Sequence, residues 1–164
     1  MSEGRSLPIE GLLAVLAPRR ASGATVALAN GIFDILHVGH LRYLEGAKRE
    51  ADILVVGINS DESARRLKGP GRPIVPQEER AELVAGFACV DYVTIFDEET
   101  AERLILALRP DVHCKGTDYR SDTVPEREVV ASYGGRIAIV GDPKMHATRE
   151  MIARLAGGAP PDTK

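Results

Sequence analysis

The chain has 164 residues, 44% hydrophobic and 27% charged, the composition of one globular domain long enough to bury a core. Its formal net charge of −3 excludes a broad basic field for nucleic acid, and 4% aromatics with no tryptophan exclude a stacking platform for single strands. Two cysteines far apart make no disulfide framework, and no apolar run reaches membrane-spanning length, so the expectation is a cytoplasmic protein with no membrane or nucleic-acid partner.

Residues 1–22 read as an amphipathic helical extension. Arg5 precedes an apolar stretch from Leu7 to Ala17 in the manner of a secretion signal, but Glu10 interrupts it and Arg19-Arg20 follow. Helical spacing puts Ile9, Leu12, Leu13 and Leu16 on one face. Thr25 to Ala29 is a continuous apolar run of the kind buried in parallel sheets, and a helix follows over residues 39–50. Ile53 to Ile58 is a second such strand. Ser60 then caps a short helix through Leu67, which Gly69-Pro70-Gly71 breaks. Pro76 at a first helical position, with Glu78 and Glu79 in the first turn, starts a helix toward Phe87.

Downstream the alternation continues. Asp91 to Phe96 is a third strand, and Thr100 to Arg109 a helix stopped by Pro110. Val112 to Cys114 is a fourth strand, ending at Lys115-Gly116. Pro125 to Tyr133 is a helix closed by Gly134-Gly135, Arg136 to Val140 a fifth strand, and Thr148 to Ala156 a last helix. Such alternation predicts a Rossmann-like three-layer α/β/α fold around a five-stranded parallel sheet. The domain spans residues 23–157, and 158–164 read as a frayed tail.

The first strand meets its helix through Asn30-Gly31-Ile32-Phe33-Asp34-Ile35-Leu36-His37-Val38-Gly39-His40. Open α/β sheets bind nucleotides at such junctions, where a helix end offers unpaired N–H groups and a positive dipole to phosphate. His37 and His40 add donors, and Gly39 removes the side chain between them. Helix capping by the histidines is one alternative. Zinc is another, but it needs a third ligand and none is close in sequence. Phe33 reads as a core anchor, and Asp34 as a cap for the coming helix.

Lys68 sits beside the Gly-Pro-Gly breaker, in a loop able to close over substrate. A cation there would lower the repulsion between two phosphate compounds brought together; the alternative is a solvated basic turn. Arg72 is a candidate phosphate contact. Arg80 is either a substrate contact or a structural salt-bridge partner. Lys115-Gly116-Thr117-Asp118 ends the fourth strand on the same sheet edge as the first junction, and Asp118 is otherwise a turn cap.

At these residues the chain resembles the HxGH nucleotidyltransferase superfamily, in its cytidylyltransferase-like branch. His37-Val38-Gly39-His40 carries the signature. Asn59-Ser60-Asp61-Glu62-Ser63, Arg66-Leu67-Lys68-Gly69, Arg72-Pro73-Ile74, Glu79-Arg80, Pro110-Asp111 and Lys115-Gly116-Thr117-Asp118-Tyr119 follow in order. The set is most similar to the adenylyltransferase domain of ADP-heptose synthases, and it covers roughly residues 25–155.

The resemblance implies transfer of AMP from ATP to a sugar 1-phosphate, a heptose 1-phosphate in that family, with release of pyrophosphate. His37, His40 and Lys68 would be catalytic. Asn30, Gly31, Ile32, Phe33, Gly39, Lys115, Gly116 and Asp118 would meet the nucleotide, with Asp118 at ribose or base. Asp34, Arg72 and Arg80 would meet the acceptor. Before its last helix the family carries hydroxyls that hold the triphosphate. This chain has Met145-His146-Ala147-Thr148-Arg149, so Thr148 keeps one hydroxyl and Arg149 substitutes a cation. Mg²⁺ would be held by triphosphate oxygens and water rather than by a protein cage. Relatives fuse a sugar kinase to this domain, so the resemblance implies a separately encoded kinase, and it leaves room for a homodimer. Two other readings remain: a glycerol-3-phosphate cytidylyltransferase-like enzyme using CTP, whose Arg-Thr-x-Gly-Ile-Ser-Thr run is missing here, and a non-catalytic nucleotide-binding module.

Overall fold

Five apolar runs lie side by side in parallel, because each crossover between neighbouring strands carries the chain back to the starting edge. The computed structural model describes residues 4–142 and 148–156, with 148–150 in backbone only. The elements are α1 (Ile9–Ala21), β1 (Val26–Gly31), α2 (Val38–Lys48), β2 (Ile53–Asn59), α3 (Asp61–Lys68), α4 (Gln77–Ala85), β3 (Tyr92–Phe96), α5 (Glu102–Leu108), β4 (Val112–Lys115), α6 (Arg127–Ala131), β5 (Arg136–Ile139) and α7 (Thr148–Leu155). Strand order is β3-β2-β1-β4-β5, the Rossmann-like arrangement expected from the alternation. The chain winds to one side of β1 and then to the other. A crevice therefore opens over the carboxyl ends of β1 and β4, where the two directions part.

Period-two alternation gives each face of the sheet its own core. Ala27, Ala29, Leu54, Val56, Ile58, Val112 and Cys114 pack against Leu44 and Ala47 of α2 and Ala81, Val84 and Ala85 of α4. Val26, Leu28, Ile53 and Val55 face the other way, onto Leu12 and Leu16 of α1, Leu104, Ile105 and Leu108 of α5, and Val130 of α6. Each fully buried leucine contributes about 1.5–3 kcal/mol, so Leu12 and Leu16 suffice to hold α1 in place. Leu13, expected on that face, is 37% exposed, because it lies one helical step beyond the strip that the sheet and α5 cover. Upstream of α1, Ser6 bridges to Val93 at the edge of β3, and Leu7 and Arg5 exchange backbone hydrogen bonds with Val93 at 2.9 and 2.8 Å. This pairing covers an otherwise open strand edge.

Several boundaries differ from expectation. Pro76 is the N-cap of α4 rather than its first residue. The α5 helix is shorter at both ends, and Arg109 leaves it with a left-handed φ of 46°, ahead of Pro110, which disfavours a right-handed helical residue before it. The α6 helix keeps only five residues. Ser60 does cap α3, accepting from the Ser63 N–H at 3.2 Å. Asp111, of the Pro110-Asp111 pair, accepts the Val26 N–H at 2.7 Å and fixes where β1 begins. No described helix is long and apolar enough to cross a membrane. Residues 143–147 and 157–164 lie outside the described residues, including the expected tail and Met145 to Ala147.

Candidate active site

The loop from β1 to α2 holds two non-glycine residues in the left-handed region, Phe33 at φ 53° and Ile35 at φ 39°. A β-branched residue there is strained, and such strain persists only where surroundings over-determine it. Phe33 supplies one anchor. Its ring is 4% exposed, stacks on Tyr43 at 6.4 Å and lies 5.4 Å from the His40 ring. Asp34 supplies the other. Its buried carboxylate accepts from the N–H groups of Ile74 and Val75 at 3.0–3.1 Å and from Arg72 Nε and Nη2 at 2.8 Å. Burial pushes this carboxyl up, but the two backbone N–H groups and Arg72 together hold it below the usual carboxylate range. Asp34 does not cap α2; it ties the first loop to the segment that follows Gly-Pro-Gly.

His37 is the cap. Its Nδ1 accepts from the Gly39 N–H at 3.1 Å, while His40 Nδ1 accepts from the His37 N–H at 3.3 Å, a reciprocal capping box. Both Nδ1 atoms accept, so each neutral ring carries its proton on Nε2. The two rings lie 4.0 Å apart. Capping and a place in the crevice, weighed as alternatives from sequence, are met by the same two side chains.

Two cavities adjoin along this loop. The smaller, about 240 Å³, lies between α2, the end of β4 at Gly116, Thr117 and Asp118, and the exit of β5 at Val140 to Asp142. The larger, about 1100 Å³, includes His37, Lys68, Arg72, Asn59, Lys115 and Glu126. Asn30 to Phe33, His40, Tyr43, Gly116 and Asp118 line both. Close packing shapes the smaller one: a Cβ on Gly46 would meet the Gly141 nitrogen at 3.0 Å, and Gly141 passes over Tyr43 with φ 92°. Tyr43 also donates its hydroxyl to the Cys114 carbonyl at 2.8 Å, pinning α2 to β4.

The crevice thus gathers Asn30, Gly31, Ile32, Phe33, Asp34, His37, Gly39, His40, Lys68, Arg72, Lys115, Gly116 and Asp118. Arg80 is the correction. It is 0% exposed and donates to Val75 O at 2.9 Å, to Asp61 Oδ1 at 2.8 Å and to the Ile32 carbonyl. It buttresses the loop from behind rather than facing substrate. The Thr148 and Arg149 side chains lie outside the described residues. Among those described, no group of three His, Cys, Asp or Glu could hold a metal ion.

Sequence reasoning missed four residues. Tyr43 was within reach, since it stands three residues after His40 and shares its helix face. His113 stands two before Lys115 on β4, is fully buried, and places Nε2 3.0 Å from Asn30 Oδ1. Burial and the Lys115 charge, opposed by Glu126, push its pKa down to about 4, so it is neutral. Asn59 opens the run to Ser63 that helps carry the resemblance but was given no role of its own, while Glu126 carried no spacing signal, following a loop of no period.

A family model described as cytidylyltransferase-like matches residues 28–152. The bifunctional protein HldE of Syntrophotalea carbinolica is 48% identical over 146 residues, 89% of this chain and 30% of that protein. HldE of Geobacter sulfurreducens is 49% identical over 144 residues, 88% of this chain and 29% of that protein. The chain thus spans under a third of the length of these curated relatives. A lipopolysaccharide core biosynthesis protein from Thermoplasma volcanium superposes with a TM-score of 0.65 at 27% identity, covering 74% of this chain and all of that one. Pantothenate synthetase from Thermus thermophilus shares the fold, with a TM-score of 0.54 at 20% identity over 89% of this chain and 64% of that one.

Proposed function

The chain belongs to the cytidylyltransferase-like family of nucleotidyltransferases, and on that premise we propose that it is a cytoplasmic adenylyltransferase acting on ATP and a sugar 1-phosphate, with heptose 1-phosphate as the acceptor. The observation that carries this reading is the meeting of two cavities at His40 and Asn30, with Lys68 and Arg72 in the larger one. One chamber suits a nucleoside. The other has room for phosphates and a second substrate. Similarity to HldE proteins, and to a structure named for lipopolysaccharide core biosynthesis, supports the sugar.

In this mechanism an oxygen of the acceptor phosphate attacks the α-phosphorus of ATP in line. A new P–O bond forms, the bond to the β-phosphate oxygen breaks, and pyrophosphate leaves with the electron pair. Negative charge builds on the phosphate oxygens as the two anions meet, so catalysis is positioning and charge stabilisation. His37 and His40 donate from Nε2 to those oxygens, and the dipole of α2 points its positive end the same way. Lys68 closes over the acceptor and offsets repulsion between the phosphates. Arg72, held at Nε and Nη2 by Asp34, faces the acceptor phosphate through its remaining N–H donors, two on Nη1 and one on Nη2. Magnesium belongs to the proposal as a companion of the triphosphate, liganded by phosphate oxygens and water, where it would neutralise charge.

Pyrophosphate release across the four nucleoside triphosphates and several phosphorylated acceptors tests the reading. ATP with heptose 1-phosphate should be the best pair. CTP with glycerol 3-phosphate as the best pair would make the chain a cytidylyltransferase. Nucleotide binding with no release from any pair would make it a binding module.

A further inference from the structure

On the wall of the larger cavity formed by the end of β4 and the start of α6 stands a buried pair with no part in the phosphate chemistry. Lys115 Nζ lies 3.2 Å from Glu126 Oε1, and the two side chains are 10% and 5% exposed. Lys115 also sits 5.1 Å over the Tyr119 ring. Both members line the larger cavity, and neither lines the smaller one. Glu126 Oε2 is buried with no hydrogen-bond partner among the described residues, as is Nδ1 of neighbouring His113. A buried carboxylate oxygen without a donor is a costly arrangement, kept where something outside the chain supplies the hydrogen.

The chemistry of the pair limits what that something is. Glu126 needs an O–H or N–H donor and repels an anion, so it does not hold a phosphate. Lys115 has three donors, of which Glu126 takes one. Donor and acceptor 3.2 Å apart match a diol, in which each hydroxyl both donates and accepts. The terminal torsion of glutamate is broad, so either oxygen can turn to the ligand. His113 orients the adjoining wall: with its proton on Nε2 it donates to Asn30 Oδ1, which fixes the direction of the Asn30 amide.

Resting on the sugar-phosphate reading above, we infer that Lys115 and Glu126 recognise hydroxyls of the acceptor's sugar, and that Lys115 serves the acceptor rather than the nucleotide. The acceptor then spans the cavity, its phosphate toward Lys68 and Arg72 and its hydroxyls on Lys115 and Glu126. Glu126 is a specificity-determining residue in this arrangement.

The test titrates wild type and Glu126→Gln separately with ATP and with a sugar 1-phosphate, repeats the latter with an analogue lacking ring hydroxyls, and follows turnover in parallel. Glutamine keeps the shape and removes the charge. Expected is a loss of sugar-phosphate affinity of about tenfold or more, ATP affinity within about twofold, and collapse of the preference for the hydroxylated sugar. Lys115→Gln should behave alike and provides the readout if the first variant fails to fold. Unchanged sugar-phosphate affinity, or ATP affinity falling in parallel, overturns the inference. Wild type that binds sugar phosphates without releasing pyrophosphate defeats the proposed reaction and leaves this assignment intact. Wild type that binds no sugar phosphate overturns both.

Discussion

Arg72 grips Asp34 through both Nε and Nη2 at 2.8 Å, joining two loops that lie 38 residues apart in the chain. The carboxylate is 1% exposed and the guanidinium 22%, so the pair is largely shielded from water. It sets the end of the Gly-Pro-Gly loop that carries Lys68 against the loop that carries the histidines. The Arg72 end of that loop is therefore held in place.

Asp34→Asn keeps the size of the side chain and removes the charge that Arg72 and two backbone N–H groups address. We expect a stability loss of about 2–4 kcal/mol, with a lowered kcat because both loops shift. Asp34 has its pKa held down in the fold, so its contribution is present above the unfolded carboxylate value and lost as pH falls through the lower folded one. Urea unfolding from about pH 6 to about pH 2 should show wild type converging on the variant at the acid end. Parallel curves would show that the carboxylate adds nothing.

His113 gives a separate window. Its pKa falls from 6.5 unfolded to about 4 in the fold, because burial and Lys115 disfavour the charged ring while Glu126 partly opposes them. Above about pH 6.5 its contribution is complete. As pH falls toward about 4 the unfolded chain takes up a proton that the fold refuses, and stability drops by on the order of 1–3 kcal/mol. His113→Gln should flatten the unfolding profile between pH 6.5 and about 4. An identical slope in the variant would contradict the buried neutral imidazole.

Two cations that the sequence offered for the site, Lys68 as catalytic and Arg80 as a substrate contact or a salt-bridge partner, should separate cleanly. Arg80→Ala removes a fully buried guanidinium and leaves the Ile32 and Val75 carbonyls and Asp61 without their donor, a loss of about 3 kcal/mol or more. Lys68 is exposed, so Lys68→Ala should change stability by no more than about 0.5 kcal/mol. Its kcat should fall strongly while ATP affinity suffers less. A Lys68 variant with normal kcat and only a raised KM for ATP would mark a simple binding residue.

Sheet and crossovers could be read from the sequence because buried parallel strands are continuous apolar runs, and Val26 to Ala29 or Ile53 to Ile58 allow no other role. The position of the junction could be read because a run of glycines and histidines interrupts the apolar pattern between a strand and a helix; that both histidines cap the helix could not be told from the same residues. Arg80 and Asp34 could not be assigned, since a charged side chain looks the same in sequence whether it faces ligand or anchors a loop from behind; only burial distinguishes them. Leu13 misled because a helix on a sheet edge buries a narrower strip than its apolar residues suggest. Glu126 gave no signal, its partner Lys115 being brought to it by the β4–α6 connection rather than by any local period.

The central claim is that two substrates meet at His40. Steady-state pyrophosphate release by His40→Ala, with ATP and a sugar 1-phosphate, tests it most directly. Losing the reciprocal cap should cost only about 0.5–2 kcal/mol of stability, which a parallel unfolding curve measures. Turnover should fall a few hundred-fold or more, the loss of roughly 3–4 kcal/mol of transition-state stabilisation. Turnover within about threefold of wild type, in a variant that folds, would contradict the account.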